Sequence, residues 1–190
     1  MNKKEIERYF KVRLKELQCI LKDGSPWGFL CAAAFLDCLS KLVYGEDRKR
    51  KGYKDFIKNY LSKINPSYAS FTYRNREKDL PEQLYHVFRC GIVHQFSLVP
   101  DPQSRRSGGR SQSIVLCHRK ESKRRNLSHL SQYSSGEISD AAVLVAEDFC
   151  KDLKSVVKLI FSSQAKEIEP KITQNMKAWV KKYPPIKGGF

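Results

Sequence analysis

From Leu84 to His94 the chain reads LYHVFRCGIVH, an apolar run that carries an arginine, two histidines and a glycine. A guanidinium is planar and permanently charged, which suits it to phosphate, and an imidazole exchanges protons near neutral pH. Arg89 and His94 together therefore have the chemistry of phosphodiester transfer. At an α-helical advance of about 100° per residue, Leu84, Tyr85, Val87, Phe88, Gly91, Ile92, Gln95 and Phe96 share one broad arc, and His86, Arg89, Cys90, Val93 and His94 fill the other. On that wheel Arg89 and His94 stand at the two edges of the second arc, roughly 140° apart. A substrate touching both lies across the face, and a second copy of the helix closes the gap. His86 and Cys90 sit on the same arc as supporting positions, His86 to orient a substrate or to hydrogen-bond across an interface. The plainer reading is an arginine that snorkels past an apolar edge and a histidine that caps something.

Arg89 and His94 form an R-x4-H spacing within FRCGIVHQ, late in a helix of a chain whose patterning is helical almost throughout. In this the chain resembles the HEPN superfamily. The likeness covers residues 5–163 in helix order and 89–94 in residues. It implies a helical bundle that pairs with itself and brings the R-x4-6-H motifs of two copies together. Many members are metal-independent RNA endonucleases, so the resemblance implies Arg89 and His94 as catalytic residues, RNA as substrate, and no cofactor. One departure is Cys90, where many catalytic members have a polar residue straight after the arginine. That keeps a second function in view, a non-catalytic dimeric module that binds RNA or a partner protein. A third is a helical interaction protein whose charge serves solubility.

The 190 residues suffice for one domain with a sizeable core. With 41% hydrophobic and 29% charged residues the chain falls among globular proteins, and a net charge of +16 points to a polyanion such as nucleic acid. Six cysteines are widely spaced, with no C-x2-C pair and no histidine at ligand spacing, so neither zinc nor another metal is expected. No P-loop, G-x-G-x-x-G, H-E-x-x-H or G-x-S-x-G occurs. MNKKEIERYF has no apolar signal region, and the expectation is a reduced, cytoplasmic protein that does not enter a membrane.

The elements that must position the motif read as an all-α bundle of about five to six helices with a small β-hairpin insertion. Ile6, Tyr9, Phe10, Val12, Leu14, Leu17, Ile20 and Leu21 have helical spacing in a half-exposed first helix over 3–22. WGFLCAAAFLDCLSKLVYG is apolar nearly all round, which predicts a central buried helix whose three alanines admit a close neighbour. Within it, Asp37 is expected to pair with Lys41 at i+4 in preference to reaching the Arg89 face. Arg48, Lys49, Arg50 and Lys51 read as a charged, solvated turn before a short helix over 53–64, and PSYASFTYRNREKD has no regular period. Asp79-Leu80-Pro81-Glu82 has the form of a helix N-cap followed by proline, so the motif helix begins there and ends near Leu98.

Beyond Pro100 the character changes. SRRSGGR reads as a loop, and between 103 and 125 stand Arg105, Arg106, Arg110, Arg119, Lys120, Lys123, Arg124 and Arg125 against Glu121 alone, nearly half of the net charge. These eight are the candidate nucleic-acid contacts. SIVLCH (113–118) and LSHLSQY (127–133) have strand-like composition, predicting a hairpin within an insert at 101–135, with His118 and His129 as surface residues of it. Ser139 or Asp140 is expected to cap a last long helix, AAVLVAEDFCKDLKSVVKLIFSS, with Ala142, Val145, Ala146, Phe149, Leu153, Val156, Val157 and Ile160 as its buried stripe, packed on the motif helix or the central one. One bundle over 1–165 is then followed by a C-terminal helix and tail over 166–190, packed on the same domain or trailing it. Expected partners are RNA and a second copy of the chain, with a neutralising or regulatory protein as a further one.

Overall fold

A computed structural model describes residues 2–22, 27–73, 76–95, 114–135, 138–162 and 168–182; at 71–73, 76–78, 92–95 and 138–140 it describes the backbone alone. The described chain is mostly helical, with a small sheet. Helix α1 (Lys3–Lys22) lays Ile6, Phe10, Leu14, Leu17 and Leu21 against the core, as its spacing predicts, but Val12, counted with the same apolar set, is exposed. Helix α2 (Trp27–Tyr44) is the centre: Phe29, Ala32, Ala33, Phe35, Leu36, Leu39, Leu42 and Val43 are buried, and it packs on helices to every side. Its length and apolar character would suit a membrane span, but half of that stretch lies inside the fold.

Helix α3 (Lys49–Phe56) starts four residues earlier than its apolar spacing predicts, so Lys49, Arg50 and Lys51 form its first turn, after a single 3-10 turn at Glu46–Arg48. It runs on through a π-helical stretch, Ile57–Leu61, into a last turn at Ser62–Ile64. The aperiodic link that follows holds a 3-10 turn, Pro66–Tyr68, and an antiparallel pair, β1 (Phe71–Tyr73) and β2 (Arg76–Lys78). Helix α4 (Leu80–Gln83) begins where the sequence predicts. The Glu82 N–H donates to Asp79 Oδ1 at 3.2 Å, and the proline lies in the first turn, where no N–H is needed.

The second half corrects three expectations. The strands of the insert do not pair with each other. β3 (Ile114–Cys117) runs parallel to β5 (Ile138–Val145), and β4 (Gln132–Ser135) pairs antiparallel on the other edge of β5, in the order β3-β5-β4. The charged turn expected between the strands is helix α5 (Arg119–Arg124). The last long helix, α6 (Ala146–Phe161), starts at Ala146 with Val145 at its N-cap position, and positions 139 and 140 lie in a strand. Ala142 and Val145 are buried as expected, but from β5.

The cause of that error is two-sided burial. Ala142 and Leu144 face the main core with Ile114 and Leu130, and Val143 and Val145 face a smaller one with Cys117. A strand covered on both faces shows no alternation, and a continuous apolar run cannot be told from a buried helix by period. Helix α6 packs chiefly along α1, through contacts such as Phe10 with Phe161 at 6.2 Å, rather than along the motif helix or α2; Phe88 against Phe149 at 5.6 Å joins it to the motif helix. Helix α7 (Glu169–Lys182) closes the far side of α2, with Ile172 and Met176 buried and the Asn175 amide donating to Leu42 O at 2.9 Å. The tail at 183–190 lies outside the described residues.

Candidate functional site

The motif helix departs from α-geometry. From Leu84 to Gln95 it is a π-helix, with i→i+5 hydrogen bonds. Such a turn takes roughly 4.4 residues, about 82° each, where an α-turn takes about 3.6 at 100°. Over five residues the difference accumulates, and positions 89 and 94 come to about 50° apart around the axis instead of about 140°. The R-x4-H spacing is therefore a one-ridge spacing along this backbone, not a pair at opposite edges. The His94 side chain lies outside the described residues, as does that of Val93. π-Turns are rare and recur at functional sites.

Leu84, Val87, Phe88 and Gly91 seat the π-helix on the core, with α2 its largest neighbour. Arg89 comes off the edge of that buried arc and is about one-fifth exposed. Its Nε lies 3.4 Å from Asp37 Oδ1, its Nη1 donates to Cys90 Sγ at 3.7 Å, and its guanidinium stands 5.6 Å from the centre of the Tyr85 ring. Burial opposes the charge, but the bond to Cys90 and the fields of Asp37 and Tyr85 outweigh it and raise the pKa further. The sequence set Asp37–Lys41 against Asp37–Arg89, and the structure has both: Lys41 Nζ holds Asp37 Oδ2 at 2.8 Å. One carboxylate on the most apolar helix thus serves two cations.

Tyr53, from α3, completes the cluster. Its hydroxyl is fully buried, has no hydrogen-bond partner among the described residues, and feels Asp37, Arg89 and Cys90; burial first, then Asp37, holds its pKa well above the ordinary tyrosine value. Its ring meets Tyr85 edge to face at 5.6 Å. Behind the group, a cavity of about 520 Å³ opens between α2, the turn at Gly45 and α7. Its lining includes Arg89 from the motif helix, Asp37, Cys38 and Lys41 from α2, Gln174, Asn175, Trp179 and Lys182 from α7, Phe10 from α1, and Glu46 and Asp47 from the turn. Burial pushes the Cys38 thiol up to about 11, so it enters this wall as a neutral group.

His86 is brought elsewhere. It is nearly half exposed and its Nε2 lies 2.8 Å from Glu82 Oε1, one turn back. Glu82 also takes Lys54 at 2.6 Å and Arg50, whose guanidinium lies 5.9 Å from the other-side neighbour Tyr85. Burial pushes the Glu82 pKa up, but the Lys54 bond and the surrounding cations prevail and lower it.

Of the eight basic candidates in the insert, Arg105, Arg106 and Arg110 lie outside the described residues. The other five belong to α5 and its C-cap. Arg119 holds Asp148 at 2.6 Å, Arg124 and Arg125 both hold Glu121, and Lys120 and Lys123 are exposed. His129, expected on the surface without a partner, is instead almost buried. Val145 N–H donates to its Nδ1 at 3.1 Å, which leaves the proton on Nε2; that atom lies 2.9 Å from the Tyr68 hydroxyl and 3.3 Å from Asp152. Tyr68 in turn donates to Asp152 Oδ2 at 2.9 Å. His118 lies 3.9 Å from Glu147 and edge-on to Phe29.

No protein-family model, curated protein or solved structure matches this chain.

Tyr85 was placed on the apolar arc by the sequence and missed as a site residue, although its place four residues before Arg89 in the same helix is a local signal. Tyr53, Asn175 and Trp179 come from distant segments and carry no local signal, since only the packing of α3 and α7 brings them to the motif.

Proposed function

We propose that the chain is a metal-independent RNA endonuclease of the HEPN type, acting as a dimer. The observation that carries this reading is the setting of Arg89: a largely buried guanidinium held between Asp37 and the Tyr85 ring on the wall of a cavity, with position 94 on the same ridge of the backbone. A cation held in place before substrate arrives loses little freedom on binding phosphate and stabilises charge as it builds on the phosphoryl oxygens. In the reaction the ribose 2′-oxygen attacks the adjacent phosphorus and the bond to the 5′-oxygen of the next nucleotide breaks. His94 moves the proton and Arg89 holds the non-bridging oxygens, leaving a 2′,3′-cyclic phosphate. The net charge of +16 supports attraction to RNA, and the cytoplasm is its proposed location.

The test is an assay on single-stranded RNA in EDTA, with the 3′ ends characterised. Cleavage with cyclic phosphate ends, and resistance of a DNA copy, is the expected result. Failure of pure protein to cut any of a broad set of RNAs sinks it. A second reading, a dimeric module that binds RNA or a regulatory protein without cutting, is favoured by the pairing of Arg89 with Asp37 and Cys90, which any phosphate must displace or share. Saturable RNA binding by a protein that never cleaves selects it. A monomer at micromolar concentration in ultracentrifugation contradicts the dimer in both.

A further inference from the structure

Helices α1 and α6 pack antiparallel: Phe10 meets Phe161 toward one end of the pair, and Gln18 hydrogen-bonds to the Cys150 thiol toward the other. Both are regular α-helices, so a wheel of about 100° per residue describes them. On it Gln18 marks the edge of α1 that faces α6, and Cys150 and Phe161 mark the edge of α6 that faces α1. Outward from these edges both helices turn basic. On α1, Lys4, Arg8, Lys11, Lys15 and Lys22 fall within about 60° of arc beside Gln18, in a ridge about 27 Å long. On α6, Lys151, Lys154 and Lys158 fall within about 60° beside Cys150 and Phe161. All eight are exposed. We propose that this outer face of the α1–α6 pair binds the phosphate backbone of double-helical RNA. It uses neither Arg89 nor His94, and rests on the nuclease reading only for RNA as the polyanion.

A helix face that serves solubility alone interleaves the two signs of charge. Here they are sorted. Glu16 lies past the far side of the α1 ridge, on Arg13, and Asp148 and Asp152 lie on the opposite edge of α6, held by Arg119 and Tyr68. The two acids nearest the ridges are engaged: Glu7 holds Lys11 at 2.6 Å, and Glu147 accepts from the Arg119 N–H at 2.9 Å. Lys11 is the one cation of the eight with an ion pair among the described residues. Like charges three and four places apart on a helix repel, as Lys4 and Arg8 or Lys154 and Lys158 do, and a polyanion relieves that repulsion. The absence of aromatic rings from the ridges selects the form of the polyanion. A single strand is held largely by stacking of its bases, whereas a duplex hides its bases and presents phosphates, which rows of cations on adjacent helices match. A lipid surface fits less well, because both helices spend their apolar sides on the core and have none to enter a bilayer.

The test titrates the full chain with a blunt duplex of 2′-O-methyl RNA, which 2′-hydroxyl attack cannot cut, over a range of salt. Lys4→Gln, Arg8→Gln, Lys15→Gln and Lys154→Gln together are expected to weaken binding about tenfold or more and to lower the slope of log affinity against log salt by about 3. Lys51→Gln, Lys63→Gln, Lys177→Gln and Lys181→Gln together remove the same charge from exposed positions elsewhere and are expected to leave both nearly unchanged. Equal losses in the two variants make bulk charge the cause and overturn the face. Cys19, the exposed one of the cysteines, stands beside the α1 ridge, and saturating duplex is expected to slow its alkylation by a maleimide. Undiminished alkylation overturns the face, as does binding to phosphatidylserine vesicles with none to the duplex. The two proposals fail separately: duplex binding lost in the first variant with no RNA ever cut upholds the face against the nuclease, and RNA cut with duplex affinity unchanged in that variant upholds the nuclease against the face.

Discussion

Tyr53 and Tyr68 are both sealed in the core, and each hydroxyl lies near an aspartate, yet the two sit in opposite situations. Tyr68 donates to Asp152 and meets His129, whose other nitrogen is taken by a backbone N–H, so the hydroxyl and both ring nitrogens are answered from within. Tyr53 is answered by no described residue, and the acid near it, Asp37, is divided between Arg89 and Lys41 at the edge of a cavity. A buried polar network that satisfies itself adds rigidity and has nothing left to offer a ligand. The histidine of a closed group is thus part of the frame, tying the turn at Pro66–Tyr68, the loop before β4 and helix α6 into one body. The open group has a carboxylate and two cations on a cavity wall, and near them a buried hydroxyl that no described residue answers.

The widest separation between the two groups should appear in activity. Arg89→Ala and His94→Ala are expected to reduce RNA cleavage by about 100-fold or more, with the melting temperature little changed; undiminished cutting by His94→Ala removes the catalytic reading. In the closed group the order reverses. Asp152→Ala strips Tyr68 and His129 of their shared acceptor and is expected to cost about 3 kcal/mol in urea unfolding, while the protein that remains folded cuts RNA at the normal rate.

A matched pair sharpens the contrast with one atom. Tyr68→Phe removes a hydroxyl that donates to a carboxylate and should cost about 1–3 kcal/mol, whereas Tyr53→Phe removes one without a described partner and should be neutral or slightly stabilising. Equal losses in the two would erase the distinction. The same pair responds to alkali. Burial, reinforced by Asp152, holds the Tyr68 hydroxyl well above the ordinary value, so the unfolded chain ionises first and stability falls as pH rises above about 10; Tyr68→Phe should flatten that fall. The smallest effect concerns the insert. Neutralising Arg105, Arg106, Arg110, Lys123, Arg124 and Arg125 is expected to flatten the salt dependence of RNA affinity by counterion release. With Arg124 and Arg125 already on Glu121, an unchanged slope would move polyanion binding to the α1–α6 face or the Arg89 side.

What could be read in the sequence follows the range of the forces involved. The start of α4 was legible because a cap is a local device, with Asp79 reaching a backbone N–H three residues on. The core role of α2 was legible because its apolar surround leaves no solvent face. β5 was misread because burial on both sides erases period, and the sheet order because a parallel partner is found only by long-range packing. The wheel drawn for Arg89 and His94 assumed 3.6 residues per turn; the helix has a π-register instead, and no composition announces it. Asp37 was weighed between two partners as though one excluded the other, although a carboxylate has two oxygens. His129 was placed on the surface for want of a neighbour in sequence, and its neighbours come from Tyr68, Val145 and Asp152.

The amide of Asn175 on the last carbonyls of α2 has a bearing on where this chain can be cut. A protein stopped at residue 165, where the motif bundle reads as complete, would lose Ile172 and Met176 from the core and the donor on Leu42 O in the same stroke. The helix so uncovered is, among the described residues, the one long and apolar enough to cross a lipid bilayer. Such a fragment would leave water by whatever route is open, into aggregates or onto detergent micelles, and its failure to cleave RNA would then report solubility rather than chemistry.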